Sequence, residues 1–72
     1  MHMTAPILTK FGENLRKLRQ EKNMSQEDLG FAASIHRTYV GAVERGEQNI
    51  SIINLEKLAK ALKISIKDLF DF

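Results

Sequence analysis

Three times in this chain an apolar residue precedes a serine, and a leucine follows four positions after that serine: Met24-Ser25…Leu29, Ile50-Ser51…Leu55 and Ile64-Ser65…Leu69. A serine hydroxyl so placed accepts from an early backbone N–H of a helix, while the flanking apolar pair packs across the cap as a hydrophobic staple. The polar residue three positions after each serine (Asp28, Asn54, Asp68) is placed to reach back as the second half of a capping box. Each serine cap contributes on the order of 1 kcal/mol. Three helix starts are thus fixed within 72 residues, which leaves room only for short helices and short connections. The expectation is an all-α bundle of five helices.

The remaining boundaries follow from apolar spacing and stop signals. A first helix is expected from about Thr9 to Lys22, with Phe11, Leu15 and Leu18 on one face and Asn23 as its left-handed C-cap. Residues 1–8, which contain Pro6, read as an N-terminal arm, and residues 1 and 2 are set aside as a cloning remnant ahead of a start at Met3. Residues 9–72 make the folded domain. Its second helix opens at Ser25 and turns Leu29, Ala32 and Ala33 inward, and Ser34-Ile35-His36 form the break after it. A third helix runs from Arg37 to Arg45 and stops at Gly46. The fourth spans Ile52 to Lys63 with Ile52, Leu55, Leu58, Ala59 and Leu62 as its buried stripe, and the last begins near Ile66.

At 3.6 residues per turn, the third helix sends Val40 and Val43 one way, with Glu44 on the border. Thr38, Gly41, Ala42 and Arg45 point the other way, and Arg37 and Tyr39 flank them. A face that is basic, polar and built from small residues suits a helix lying in a DNA major groove. Arg37 and Thr38 at its N-terminal end reach base edges, and Gly41 and Ala42 permit close approach.

With SQEDL opening the second helix and VERG closing the third, residues 25–46 resemble the helix-turn-helix of the phage-repressor (Cro/C1-type) family. The resemblance runs from about Phe11 to Phe70 and implies a five-helix, lambda-repressor-like DNA-binding domain. Within that family RTYVGAVERGEQN is most similar to the controller proteins of restriction–modification systems. That likeness implies a homodimer on a palindromic double-stranded DNA operator, autoregulating its operon, with RNA polymerase as a further partner. It also implies base and backbone contacts for Arg37, Thr38 and Tyr39. The Tyr39 ring packs against the first helix in the alternative reading, and both roles can hold together. By the same resemblance Arg19 and Glu44 form a partly buried ion pair that fixes the first helix against the third.

Other DNA contacts belong to the phosphate backbone. Ser25 and Gln26 sit at a helix start, where orphan N–H groups and the helix dipole favour an anion, and Gln26 resembles the family's phosphate clamp. Arg45, Gln48 and Asn49 cluster after the third helix and suit the opposite strand, with Glu47 expected to point away. His36 stands where the family has Ser, Thr or Asp as N-cap, and Ser34 where it has glycine. His36 is read as an imidazole cap or, when protonated, a phosphate contact.

Composition bounds the alternatives. The net charge of +2 does not by itself suggest nucleic acid, but Lys10, Arg16, Lys17, Arg19 and Lys22 crowd into the first helix. With no cysteine and two histidines, one of them in the doubtful N-terminus, no metal site, cofactor or catalytic constellation is expected. No apolar run approaches the roughly 18 residues of a membrane span, and no signal peptide is evident, so the expected location is the cytoplasm. A core this small favours dimerisation, and Ile53, Ile66, Phe70 and Phe72 are apolar area left over for it. Two other functions remain: an antitoxin-type repressor that also binds a toxin, and a protein-interaction module without DNA.

Overall fold

In the computed structural model, which describes residues 5–72, the first helix already begins at Pro6. This helix, α1, runs Pro6–Glu21 with Ala5 as its N-cap. Proline suits the first helical position, since its fixed φ is helical and its missing N–H would be unpaired there anyway. Residues 6–8, expected in an arm, therefore form the first turn of α1, and residues 1–4, with the remnant reading, lie outside the described residues. At the other end Asn23 takes the left-handed conformation (φ 56°) and the Met24 N–H reaches back to the Arg19 carbonyl at 3.2 Å.

The next two helices, α2 (Gln26–Ala33) and α3 (Arg37–Glu44), are joined by Ser34-Ile35-His36. Ser25 caps α2 reciprocally: its hydroxyl accepts from Asp28 N–H at 2.9 Å and its own N–H donates to the Asp28 carboxylate at 2.9 Å. Hydrogen bonds from Ser25 hold the Asp28 carboxyl below its ordinary value. The turn reverses at Ser34 (φ 58°), and the Ile35 N–H then closes on the Gly30 carbonyl at 2.8 Å. A Cβ on Gly30 would stand 2.5 Å from the Ile35 carbonyl oxygen, so this return is open only to glycine. Gly12 plays the equivalent part where α1 crosses α3, since a Cβ there would meet the Val43 and Glu44 carbonyls.

The fourth helix, α4 (Ile52–Leu62), is capped by Ser51, whose hydroxyl accepts from Asn54 N–H at 3.1 Å. Leu58, Ala59 and Leu62 are buried and Leu55 is partly so, but Ile52 is 79% exposed. Ile52 is thus removed from the expected stripe. Ile50, just ahead of the cap, packs against the core in its place. Ala32 of α2 is likewise exposed, and its neighbour Ala33 fills the core.

The expected fifth helix is a 3₁₀ turn, Ile66–Phe70, so the described residues form four α-helices and one 3₁₀ turn. The Asp68 carboxylate accepts from both the N–H (3.0 Å) and the hydroxyl (2.9 Å) of Ser65. The carbonyls of Asp68 and Leu69 accept from the buried Asn14 amide at 3.2 and 2.8 Å, which ties the turn to α1, and the Asp68 carbonyl also accepts from the Asp71 N–H at 3.4 Å. Among the described residues there is no strand. The core joins Phe11 and Leu15 of α1 to Leu29, Val40, Val43, Leu58, Leu62 and Leu69. On this core α2 lies against α3 and α4, while α1 lies against α3 and the 3₁₀ turn.

Candidate nucleic-acid interface

Helix α3 is held from below by Val40 and Val43, both buried, and this leaves Arg37 and Thr38 exposed at its N-terminal end. His36 is the N-cap: its Nδ1 accepts from Thr38 N–H at 3.0 Å. A neutral imidazole accepting through Nδ1 carries its proton on Nε2, so the ring has one N–H left to donate. Tyr39 is half-buried and packs against the core, and Ala42 is half-buried in the middle of the helix. Gly41 is buried, contrary to the open groove face expected for it. A Cβ there would stand 3.2 Å from both Gln26 Oε1 and an Arg45 guanidinium nitrogen, so the close approach it permits is made by these two side chains.

Beneath the face lies one carboxylate. Glu44, at the end of α3, has no exposed side-chain surface and accepts Arg19 Nε at 2.6 Å and Arg19 Nη2 at 3.1 Å. Arg16 Nε adds a bond at 3.3 Å and Gln26 Nε2 one at 3.0 Å. Burial alone would push the Glu44 carboxyl up, but the hydrogen bonds from Arg19, Gln26 and Arg16, with the Arg19 charge, hold it below the ordinary glutamate value. Arg19 also donates to the Met24 carbonyl at 2.8 Å, which ties the loop before α2 into the same network. One carboxylate thereby fixes α1, α2 and α3 relative to one another.

This network revises two expectations. Gln26, read as a phosphate clamp, has one of its two amide hydrogens committed to Glu44. Arg19 pairs with Glu44 as expected, and the second revision is Arg16, counted among the basic residues crowded into the first helix, which also turns to this carboxylate.

Two exposed ion pairs cross the face. Arg37 Nη1 lies 3.3 Å from the Glu27 carboxylate on α2, and Arg45 Nε lies 3.0 Å from that of Glu47. Glu47, expected to point away, instead reaches to Arg45. Gln48 and Asn49 are exposed beyond it. Ser25 is exposed too, with its hydroxyl already committed as a cap acceptor.

Sequence reasoning missed Asn14, Arg16 and Glu27. Asn14 was detectable, since with Phe11, Leu15 and Leu18 it falls on the inward side of α1 at three- and four-residue spacing. Arg16 and Glu27 carry no such signal: their partners lie 28 and 10 residues away and are brought near only by tertiary structure. Among the described residues no three His, Cys, Asp or Glu side chains cluster as metal ligands, and no helix is long and apolar enough to cross a membrane.

Residues 15–69 match a family described as helix-turn-helix. The chain is 49% identical over 71 residues to the control protein C.BamHI of Bacillus amyloliquefaciens, an alignment that covers 97% of this chain and 88% of that protein. Its structure resembles the restriction–modification controller protein C.AhdI from Aeromonas hydrophila with a TM-score of 0.87 and 52% identity, over 88% of this chain and 96% of that one. The wild-type controller protein C.Esp1396I superposes with a TM-score of 0.84 at 36% identity, over 93% and 87% of the two chains. That protein has also been solved with substitutions at a consecutive arginine, threonine and tyrosine, the order found here in Arg37-Thr38-Tyr39.

Proposed function

The chain belongs to the helix-turn-helix family of DNA-binding regulators, and on that premise we propose that it is the controller protein of a restriction–modification operon. It is a regulator and not an enzyme. It acts in the cytoplasm as a homodimer on a palindromic operator in its own operon, with RNA polymerase as its partner where occupancy activates. The observation that carries this reading is the exposed Arg37–Thr38 edge standing on a helix that the buried Glu44 network fixes to α1 and α2. Base readout needs side chains presented by a rigid element, and this is such an arrangement. Arg37, Thr38, Tyr39 and Ala42 are assigned to the bases. Ser25, Gln26, His36, Arg45, Gln48 and Asn49 are assigned to the phosphate backbone.

The likeness to C.BamHI and C.AhdI supports the restriction–modification setting. A DNA-free interaction module is set aside by the family, and no observation favours a toxin partner. Selection from a random duplex library with the purified protein tests the reading. The expected product is a two-fold symmetric site that also occurs upstream of the protein's own gene, beside methyltransferase and endonuclease genes. Enrichment of no sequence would overturn it.

A further inference from the structure

We propose that Glu27 is a positioning residue that sets sequence specificity: by holding the Arg37 guanidinium it directs that arginine to a base edge and keeps it off the phosphates. The inference rests on the DNA-binding reading above and deepens it. Arg37 stands on the first turn of α3 and Glu27 on the first turn of α2. Their side chains meet at 3.3 Å, Nη1 to Oε2, while 64% and 72% exposed.

A free guanidinium at a duplex surface has two kinds of partner. Phosphate oxygens surround every sequence, whereas the paired O6 and N7 acceptors belong to guanine. An unrestrained arginine therefore adds affinity for any DNA. Glu27 alters that choice in two ways. It engages one of the five guanidinium N–H groups and leaves the Nε–Nη2 edge, with its two parallel donors, open for guanine. Its charge also repels a phosphate approaching the same place. An exposed pair of this kind biases a population about two- to fivefold, too little to matter for folding but enough to shift a specificity ratio.

The Arg45–Glu47 pair provides the contrast. There the carboxylate takes Nε at 3.0 Å, and the arginine is one assigned to the backbone, with no base to choose. Removing Glu47 changes the same unit of charge without freeing Arg37.

The test uses the full chain and the site selected by the wild type, with a scrambled duplex of equal length as the second probe. Dissociation constants are measured across a salt series for the wild type, Glu27→Gln, Glu27→Ala, Glu47→Gln, Arg37→Ala and the Glu27→Gln/Arg37→Ala double variant. Thermal melts check that each remains folded. Both Glu27 variants are expected to bind scrambled DNA about two- to fivefold more tightly, with a log–log salt slope steeper by up to about 0.9, the value of one added phosphate contact. Binding to the selected site should not gain, so the specificity ratio falls. Glu47→Gln should tighten both complexes alike. With Arg37 already replaced, Glu27→Gln should leave the ratio unchanged. Equal tightening on both probes in the Glu27 variants, or the same change of ratio without Arg37, would overturn the proposal and reduce Glu27 to general charge repulsion. If the wild type selects no site, the regulator reading itself fails and this inference with it. A selected site with an unchanged ratio sinks the inference alone.

Discussion

At Glu44 a carboxylate shut away from solvent accepts hydrogen bonds from Arg19 and Arg16 on α1 and from Gln26 on α2. Replacing it with alanine strands the Arg19 guanidinium, whose side chain is only 10% exposed. Breaking a buried pair by removing one partner costs about 3–5 kcal/mol. Glu44→Ala should therefore lower the melting temperature by at least 10 °C, taking roughly 4 °C per kcal/mol for a domain of this size; an unchanged melt would show the network to be dispensable. The pH dependence has a definite sign. A carboxyl held below its ordinary value stabilises the fold fully above the unfolded value, near 4.3, and loses that contribution as pH falls through the folded one. Glu44→Gln cannot titrate, so its melting temperature should start lower at neutral pH and fall less steeply below about pH 4. A variant with the wild-type acid slope would assign acid lability to other carboxylates. On the DNA side, Arg37→Ala should cost about 1–3 kcal/mol on the selected site and far less on scrambled DNA. Equal loss on both would reassign Arg37 to the backbone.

Three element starts were legible because capping is local chemistry: the Ser25 and Ser51 hydroxyls accept from helix N–H groups, while Ser65 marks the start of the 3₁₀ turn with its hydroxyl donating to Asp68. The start of α1, at Pro6 without a side-chain cap, was not legible. Other features depended on distant residues. The last element is tied to α1 by Asn14, 54 residues upstream of the Asp68 carbonyl it binds. Ile52 fits the apolar period of α4, but Ile50 packs against the core next to the cap while Ile52 and Ile53 stay in solvent. The site divides in the same way. The exposure of Arg37 and Thr38 at the start of α3 agrees with its helical period, whereas the burial of Gly41 under Gln26 and Arg45 requires α2 to be in place. A further consequence lies at the helix C-caps. Ser34 and Lys63 both occupy left-handed conformations, at φ 58° and 59°, where a Cβ is unfavourable by about 1–2 kcal/mol. Glycine relieves that strain but adds freedom to the unfolded chain, so Lys63→Gly should stabilise by on the order of 0.5–1 kcal/mol. A melting temperature that stays level or falls in Lys63→Gly would mean that interactions of the lysine side chain offset the strain.

At the scale of the whole molecule the question is how a domain measuring 35 × 23 × 22 Å reads an operator. One recognition helix spans only a few base pairs, and dimers of such domains engage half-sites about 34 Å apart. One copy, with one recognition helix, cannot reach both half-sites. The apolar surface that could join them lies on α4 and the 3₁₀ turn, which pack against each other. Ile53 is 68% exposed, Ile66 39%, Phe70 42% and Phe72 53%, and Ile52, released from the core, adds to them. So much exposed apolar area on two adjoining elements of a 72-residue chain is a liability unless a partner covers it. Phe70 is a poor probe of this surface, because its ring also lies 5.1 Å from that of Phe11 and helps to close the core. Ile53 and Ile66 are better, since a charge at either leaves the buried residues in place. If the proposed dimer is built on this face, Ile53→Asp and Ile66→Asp should sediment as folded monomers at low micromolar concentration, where the wild type is expected to sediment as a dimer. They should also bind a single half-site as the wild type does, while losing the advantage of the full palindrome. A folded variant that stays dimeric would put the two-fold axis on another face.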